Sequence, residues 1–284
     1  MPFFYMKTFT FDKTYFNVDD TLTCGQFFTY EKHGNGYLVR SLDKFCYAET
    51  TDEFSKITCN DDDISYFSTF FDLERDYAAV CNKALSYDIP FLNKCVSCGK
   101  GIRILRQDEY ENLISFIISQ NNNIPRIKKS IAFLCEKLGR DVLFDGKIYK
   151  AFPTAQVLAS QSEEFFKRAG LGYRAPYLKI AAEKIVGGEL NLKSLSTLPT
   201  QKIKENLLKI KGVGEKVASC VILFAYGRFD SFPVDTWIEK IYRENFGGTL
   251  TERKKISQFF IEKFGDESGI IQQYVFHYKR NLEK

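Results

Sequence analysis

The chain is predicted to be α+β, with an antiparallel sheet in its first third and helices in the rest. Two observations carry that reading: β-rich runs around a glycine turn before residue 50, and apolar residues at helical spacing from about residue 105 onward. A third is that the two kinds of segment are segregated and do not alternate, unlike the pattern of a parallel α/β sheet.

The elements follow in order. FFTYEKHGNGYLVRSL (27–42) holds two β-rich runs around Gly34-Asn35-Gly36, a hairpin signal, and FCYAET (45–50) adds a further antiparallel strand. DDDISYFSTFFDL (61–73) opens on cap-type aspartates and continues with helical periodicity. DEYENLISFIIS (108–119), IPRIKKSIAFLCEKLG (124–139), SEEFFKRAG (162–170), APYLKIAAEKIVGG (175–188) and the segment 200–210 read as amphipathic helices, several of them closed by glycine. No internal repeat, low-complexity tract or long linker interrupts them. The expected division is 1–104 for the sheet with flanking helices, 105–195 for a helical part with an asparagine-rich loop, and 196–284 for the remaining helices.

Composition excludes several classes. At 284 residues the chain buries a core large enough to need no disulfide or metal staple. The longest apolar run, 217–226, is far short of the roughly 20 residues that span a bilayer. No charged-then-apolar leader opens the sequence, so secretion is not expected and the eight cysteines are expected to be free thiols. Cys95 and Cys98 form a C-x-x-C pair with no second pair to complete a tetrahedral site, which leaves a metal ligand pair or a cysteine-bearing turn. The net charge of +4 leans mildly toward polyanions, with lysines clustered between 202 and 216 and at Arg253-Lys254-Lys255.

The most informative stretch is KIKGVGEKVASC (209–220) followed by FPVDTW (232–237). Gly212 and Gly214 let the backbone reverse between two helices without a Cβ clash. The second helix then starts with unpaired N–H groups, an anion site suited to phosphate. Lys216 falls in its first turn, where the helix dipole disfavours a cation, so partial desolvation there would raise the supply of free amine. Taken alone, Lys216 reads as a solvated surface lysine. Asp235 precedes a helix and reads as its N-cap, a role compatible with a second, electrostatic one.

The helix, the G-V-G hairpin, the lysine two residues on and the P-V-D segment ending 19 residues after that lysine resemble the helix-hairpin-helix DNA glycosylase superfamily. An iron–sulfur branch would need four cysteines after the hairpin, and the last one is Cys220, so no such cluster is expected. LRQDEYENLISFIISQNNNIPRI (105–127), LGYRAPY (171–177), CGQFF (24–28) and QQYVFHY (272–278) resemble the 8-oxoguanine DNA glycosylase/lyase branch. That resemblance implies an N-terminal twisted sheet of the TBP-like kind, followed by a two-lobed helical glycosylase region.

It also implies roles. Lys216 is the Schiff-base nucleophile and Asp235 the carboxylate that stabilises charge on the sugar. The carbonyl of Gly25 reads the hydrogen that oxidation places on N7. Gln272 pairs with the base's Watson–Crick edge, and Phe276 and Cys220 cover its two faces. On the DNA side, Asn121 fills the vacated position beside Asn122 and Asn123. Arg126 and Arg174 contact the orphaned cytosine, Tyr173 wedges beside it, and Gly212, Val213 and Gly214 hold phosphate. The backbone carbonyls of Leu208, Ile210 and Val213 are implied to hold a structural monovalent or divalent cation, with no other cofactor required. Trp237 departs from the histidine that animal members carry two residues after the aspartate, so that phosphate contact is left open.

Without the resemblance, the three asparagines read as a helix-relieving turn, and Phe276 and Cys220 as core. The expected partner is double-stranded DNA containing 8-oxoguanine, acted on by a monomer in the cytoplasm, with no membrane. A glycosylase for another damaged base and a non-catalytic hairpin DNA-binding module are the alternatives.

Overall fold

The computed structural model describes residues 5–282. Its sheet comprises β1 (Met6–Asp12), β2 (Tyr30–His33), β3 (Gly36–Ser41), β4 (Lys44–Thr50) and β5 (Phe54–Asn60). All neighbours are antiparallel, in the order β1-β5-β4-β3-β2. β5 alternates buried Ser55, Ile57 and Cys59 with half-exposed residues, the period-2 signature of a sheet with one covered face. That face packs on α1 (Val18–Thr23) and α2 (Ile64–Phe70), with Phe16, Val39, Phe67 and Phe71 in the shared core. The hairpin and β4 lie where the sequence placed them. The expected helix over 61–73 is shorter, a 3-10 turn at Asp61–Asp63 leading into α2. β1 and β5 escaped the sequence reading, although MKTFTFD alternates threonine and phenylalanine.

The helical part begins with α3 (Tyr77–Ser86) and α4 (Pro90–Gly99), before residue 104. These two helices pack into the large helical core and not onto the sheet: Leu92, Cys95 and Val96 share it with Val221 and Ile271. Cys95 and Cys98 therefore stand on a helix, not in a turn, one buried and one exposed. Among the described residues no cluster of three or more metal-ligating side chains forms. Next come α5 (Glu109–Ser119) and α6 (Ile124–Leu138), then a two-stranded ribbon of β6 (Asp141–Phe144) and β7 (Lys147–Lys150). The chain continues through α7 (Ala155–Ala159), α8 (Glu163–Arg168), α9 (Ala175–Val186), α10 (Leu192–Leu195) and α11 (Thr200–Leu207). It ends with α12 (Glu215–Phe224), α13 (Thr236–Phe246), α14 (Arg253–Phe264) and α15 (Ser268–Leu282). α15 lies along α4, where Gly99 admits Tyr274 so closely that a β-carbon would meet its ring at 2.9 Å.

Two buried polar side chains join the sheet part to the helices. Gln26 donates to the carbonyls of Thr21 (2.9 Å) and Arg103 (2.8 Å) and accepts from the Leu105 N–H (2.9 Å). Glu111, on α5, accepts from Thr29 Oγ1 and the Leu42 N–H, both at 2.7 Å. Burial raises the Glu111 carboxyl to about 7, although those two hydrogen bonds pull the other way.

This joint makes stability depend on pH. A carboxyl whose folded value is raised from 4.5 to about 7 keeps its proton in the fold while the unfolded chain loses it. Stability therefore falls as pH rises from about 4.5 to 7 and levels off above. Glu111→Gln should flatten that fall by up to ~3 kcal/mol. Urea denaturation at pH 4.5 and 7.5 measures the difference, and parallel pH profiles for the two proteins would contradict it.

Candidate active site

α11 and α12 are joined by a turn in which Ile210 N–H bonds to Leu207 O (3.0 Å) and Val213 N–H to Ile210 O (2.9 Å). Gly212 has φ +88°, and a β-carbon there would lie 2.4 Å from the Tyr177 ring. Both the backbone conformation and the space thus require glycine. Gly214 caps α12 in ordinary extended conformation with no side-chain bond to the helix, so no cap side chain occupies the first N–H groups of α12. A Lys204–Glu215 ion pair (2.6 Å) ties α11 to the start of α12. Lys216, half-buried in that first turn, holds its ammonium 5.1 Å from the centre of the Phe116 ring on α5.

Asp235 is the N-cap of α13. Its Oδ1 accepts from the N–H groups of Trp237 and Ile238, both at 3.0 Å, which fixes the carboxylate. Lys216 and Asp235 line two adjoining concavities and so stand where they meet. The outer one is a cleft of about 640 Å³ bordered by Asn121, Asn122, Tyr173, Gly214, Trp237 and Arg253. The inner one is a pocket walled by Gly25, Phe116, Cys220, Phe224, Gln272 and Phe276. It is narrow, with about 30 Å³ of free space.

The inner walls are firmly held. Gly25 takes φ +95°, in the turn after α1 that Gln26 anchors. Gln272 Nε2 donates to Pro233 O (3.2 Å), and its Oε1 accepts from Gln273 Nε2 (2.6 Å). Burial pushes the Cys220 thiol up, although Lys216 nearby opposes it, so the sulfur is a neutral packing surface and not a nucleophile.

On the outer wall the three asparagines divide their work. Asn121 is exposed and left-handed at φ 45°, a conformation asparagine tolerates better than most residues. Asn122 Nδ2 bonds back to Ile118 O (3.1 Å), and Asn123 caps α6 through the Arg126 N–H (3.0 Å). The turn reading and the exposed-side-chain reading therefore both apply, to different residues. Tyr173 is 53% exposed and projects beside the loop.

Arg174 behaves differently from the expectation of a free fork. Its side chain is buried, with Nε donating to Gln120 O (2.7 Å), Nη2 to Asn121 O (2.8 Å) and Nη1 to Leu171 O (3.3 Å). It holds the asparagine loop from behind, while Arg126 is exposed on the first turn of α6. Sequence reasoning missed Phe116 and Phe224 as pocket walls. Phe224 stands one helical turn beyond Cys220, a spacing that could have flagged it; Phe116 arrives by packing from another helix.

Two family models match the chain: 8-oxoguanine DNA glycosylase, N-terminal domain, over residues 8–113, and HhH-GPD superfamily base excision DNA repair protein over 114–265. In the solved structures the fold matches Clostridium acetobutylicum 8-oxoguanine glycosylase/lyase bound to double-stranded DNA with cytosine opposite 8-oxoguanine. The TM-score is 0.90 at 39% identity, covering 100% of each chain. A probable N-glycosylase/DNA lyase of Methanothermobacter thermautotrophicus is 29% identical over 75% of this chain and 72% of its own length. The N-glycosylase/DNA lyase OGG1 of Arabidopsis thaliana is 36% identical over 62% of this chain, which spans about half (52%) of that relative. No helix among the described residues is long and apolar enough to cross a membrane.

The capping role of Asp235 separates from any other by substitution. Asp235→Ala should lower stability by about 1 kcal/mol, whereas Asp235→Asn, an equivalent cap, should change it by less than ~0.5 kcal/mol. Equal losses in urea denaturation would show that the cap is not what holds this carboxylate.

Proposed function

Because the chain belongs to the HhH-GPD superfamily of base excision DNA repair proteins, we propose that it removes 8-oxoguanine opposite cytosine from duplex DNA and then nicks the strand. One observation carries this reading: Lys216 and Asp235 border both an open outer cleft of about 640 Å³ and a pocket walled by Gly25, Cys220, Gln272 and Phe276. Duplex DNA lies along the cleft, and the damaged nucleotide is turned out of the stack toward the pocket. The pocket must widen as the base enters. The exposed amides of α12, from Gly214 onward with Gly212 and Val213 shaping the turn, take a phosphate.

The base is read by its chemistry. Oxidised guanine carries a hydrogen on N7, and the Gly25 carbonyl accepts it; unmodified guanine offers only a lone pair there. Gln272 pairs with the Watson–Crick edge, and Cys220 and Phe276 cover the faces. Asn121 fills the space left in the duplex and Tyr173 wedges beside it. Arg126 and Arg174 contact the orphaned cytosine, Arg174 from a guanidinium already anchored on the loop carbonyls, whose Nη1 keeps a second N–H beyond its bond to Leu171 O.

The neutral amine of Lys216 attacks C1′ as the N-glycosidic bond breaks, and the bond pair leaves with the base, which takes up a proton. The adduct's second N–H proton passes to the ring oxygen as the ring opens to the imine. Removal of a C2′ proton then forms the C2′–C3′ double bond as the C3′–O bond breaks and the 3′ phosphate leaves, and water hydrolyses the imine to free Lys216. Asp235, fixed by its cap, stabilises the positive charge that builds on the sugar.

The carbonyls of Leu208, Ile210 and Val213 suit a structural cation, being neutral oxygen donors gathered in one turn. Ile210 O keeps a lone pair beyond its bond from Val213. Such an ion would add positive charge beside the phosphate. The protein acts as a monomer, needs no redox cofactor, and works in the cytoplasm, beside the nucleoid in a bacterial cell.

Single-turnover cleavage of an 8-oxoguanine:cytosine duplex tests this. Lys216→Gln should abolish strand cleavage, and Asp235→Asn should slow base release by about 10²–10³-fold while keeping the fold. Undiminished cleavage by Lys216→Gln, or a preference for alkylated bases, would overturn the reading.

A further inference from the structure

One face of α15 carries residues 272, 276 and 280, spaced one helical turn apart. Gln272 and Phe276 line the inner pocket. Arg280 lies beside Gly25: its Nη1 is 3.1 Å from the point a β-carbon on Gly25 would occupy, and Phe276 Cε1 is 3.5 Å from the same point. Its Nη2 donates to the carbonyl of Thr23, the last residue of α1, at 2.6 Å. Nη1, by contrast, is shut off from solvent and has no hydrogen-bond acceptor among the described residues.

A buried, charged donor with no partner is unfavourable, because it has lost water and gained nothing in return. One held this way beside a binding pocket marks the position of an acceptor that arrives with the ligand. The oxidised base supplies such an acceptor. It differs from guanine at two adjacent atoms, a hydrogen on N7 and a carbonyl oxygen on C8. The Gly25 carbonyl can accept the first but, being an acceptor itself, cannot recognise the second. A guanidinium N–H beside that glycine can.

We propose that Arg280 is a specificity-determining residue, whose Nη1 donates to the C8 carbonyl oxygen of the lesion beside the Gly25 contact to N7–H. This rests on the assignment of 8-oxoguanine to the inner pocket. The Thr23 bond holds the guanidinium in place before the base arrives, so little ordering remains for binding. Glycine at position 25 acquires a further reason: a side chain there would stand between Arg280 and the pocket.

The test compares two substrates of one protein. Single-turnover excision from an 8-oxoguanine:cytosine duplex involves the base; β-elimination at a preformed abasic site in the same duplex does not. In Arg280→Met the ratio of excision to abasic cleavage should fall about tenfold or more. A fall in both rates together would mark Arg280 as merely structural, and an unchanged ratio would remove it from recognition; either result overturns the proposal. Arg280→Lys, which keeps a cationic donor, should give the same shift at smaller size, and it carries the test if Arg280→Met does not fold. Absence of 8-oxoguanine excision by the unmodified protein would instead refute the functional assignment itself.

Discussion

No β-carbon fits at position 212, because the Tyr177 ring occupies its place at 2.4 Å. That contact seats the turn between α11 and α12 on α9, and much of the site follows from it. α12 begins where its free amides border the cleft, and Lys216, in the first turn, meets the boundary between cleft and pocket. The same α9 follows directly on Arg174, which holds the asparagine loop by its carbonyls. One helix therefore supports the hairpin on one side of the cleft and the loop on the other.

The second anchor is the joint between sheet and helices. Gln26 fixes the turn that carries Gly25, and Glu111 ties α5, with Phe116 on it, to the strand region. The base pocket thus combines residues from near both ends of the chain. Its apolar walls suit a flat ring: Phe116 and Phe224 stack on each other with ring centres 5.6 Å apart, and Phe276 adds a further aromatic face. Lys216 and Asp235 are likewise held in place, one by its helix start and the other by its cap.

The legible part of the site was the part encoded locally. Glycine breaks, a cap aspartate and the helices around them act over a few residues, so Lys216 and Asp235 could be singled out from the chain alone, although their chemistry came from the resemblance. The fold class was legible for the same reason, since alternation and helical spacing report which face is buried. β1 was lost because its neighbour in the sheet, β5, comes three strands later in sequence, and β5 because the Thr51-Asp52-Glu53 turn that joins it to β4 carries no glycine signal. Phe116 and Arg280 depend on which helices pack together, and the inward turn of Arg174 on carbonyls that no spacing marks. Cys95 and Cys98 looked like a possible ligand pair only until α4 separated them into a buried and an exposed position.

The central claim is that the hairpin exists to deliver one amine to the sugar. Several lysines lie nearby, including Lys209 and Lys211, so the claim is specific to position 216. Borohydride reduction during incubation with an 8-oxoguanine:cytosine duplex, followed by proteolysis and mass mapping of the covalent adduct, tests it most directly. The account predicts a single modified peptide with the DNA remnant on Lys216. A remnant on Lys209, Lys211 or any other amine would contradict it.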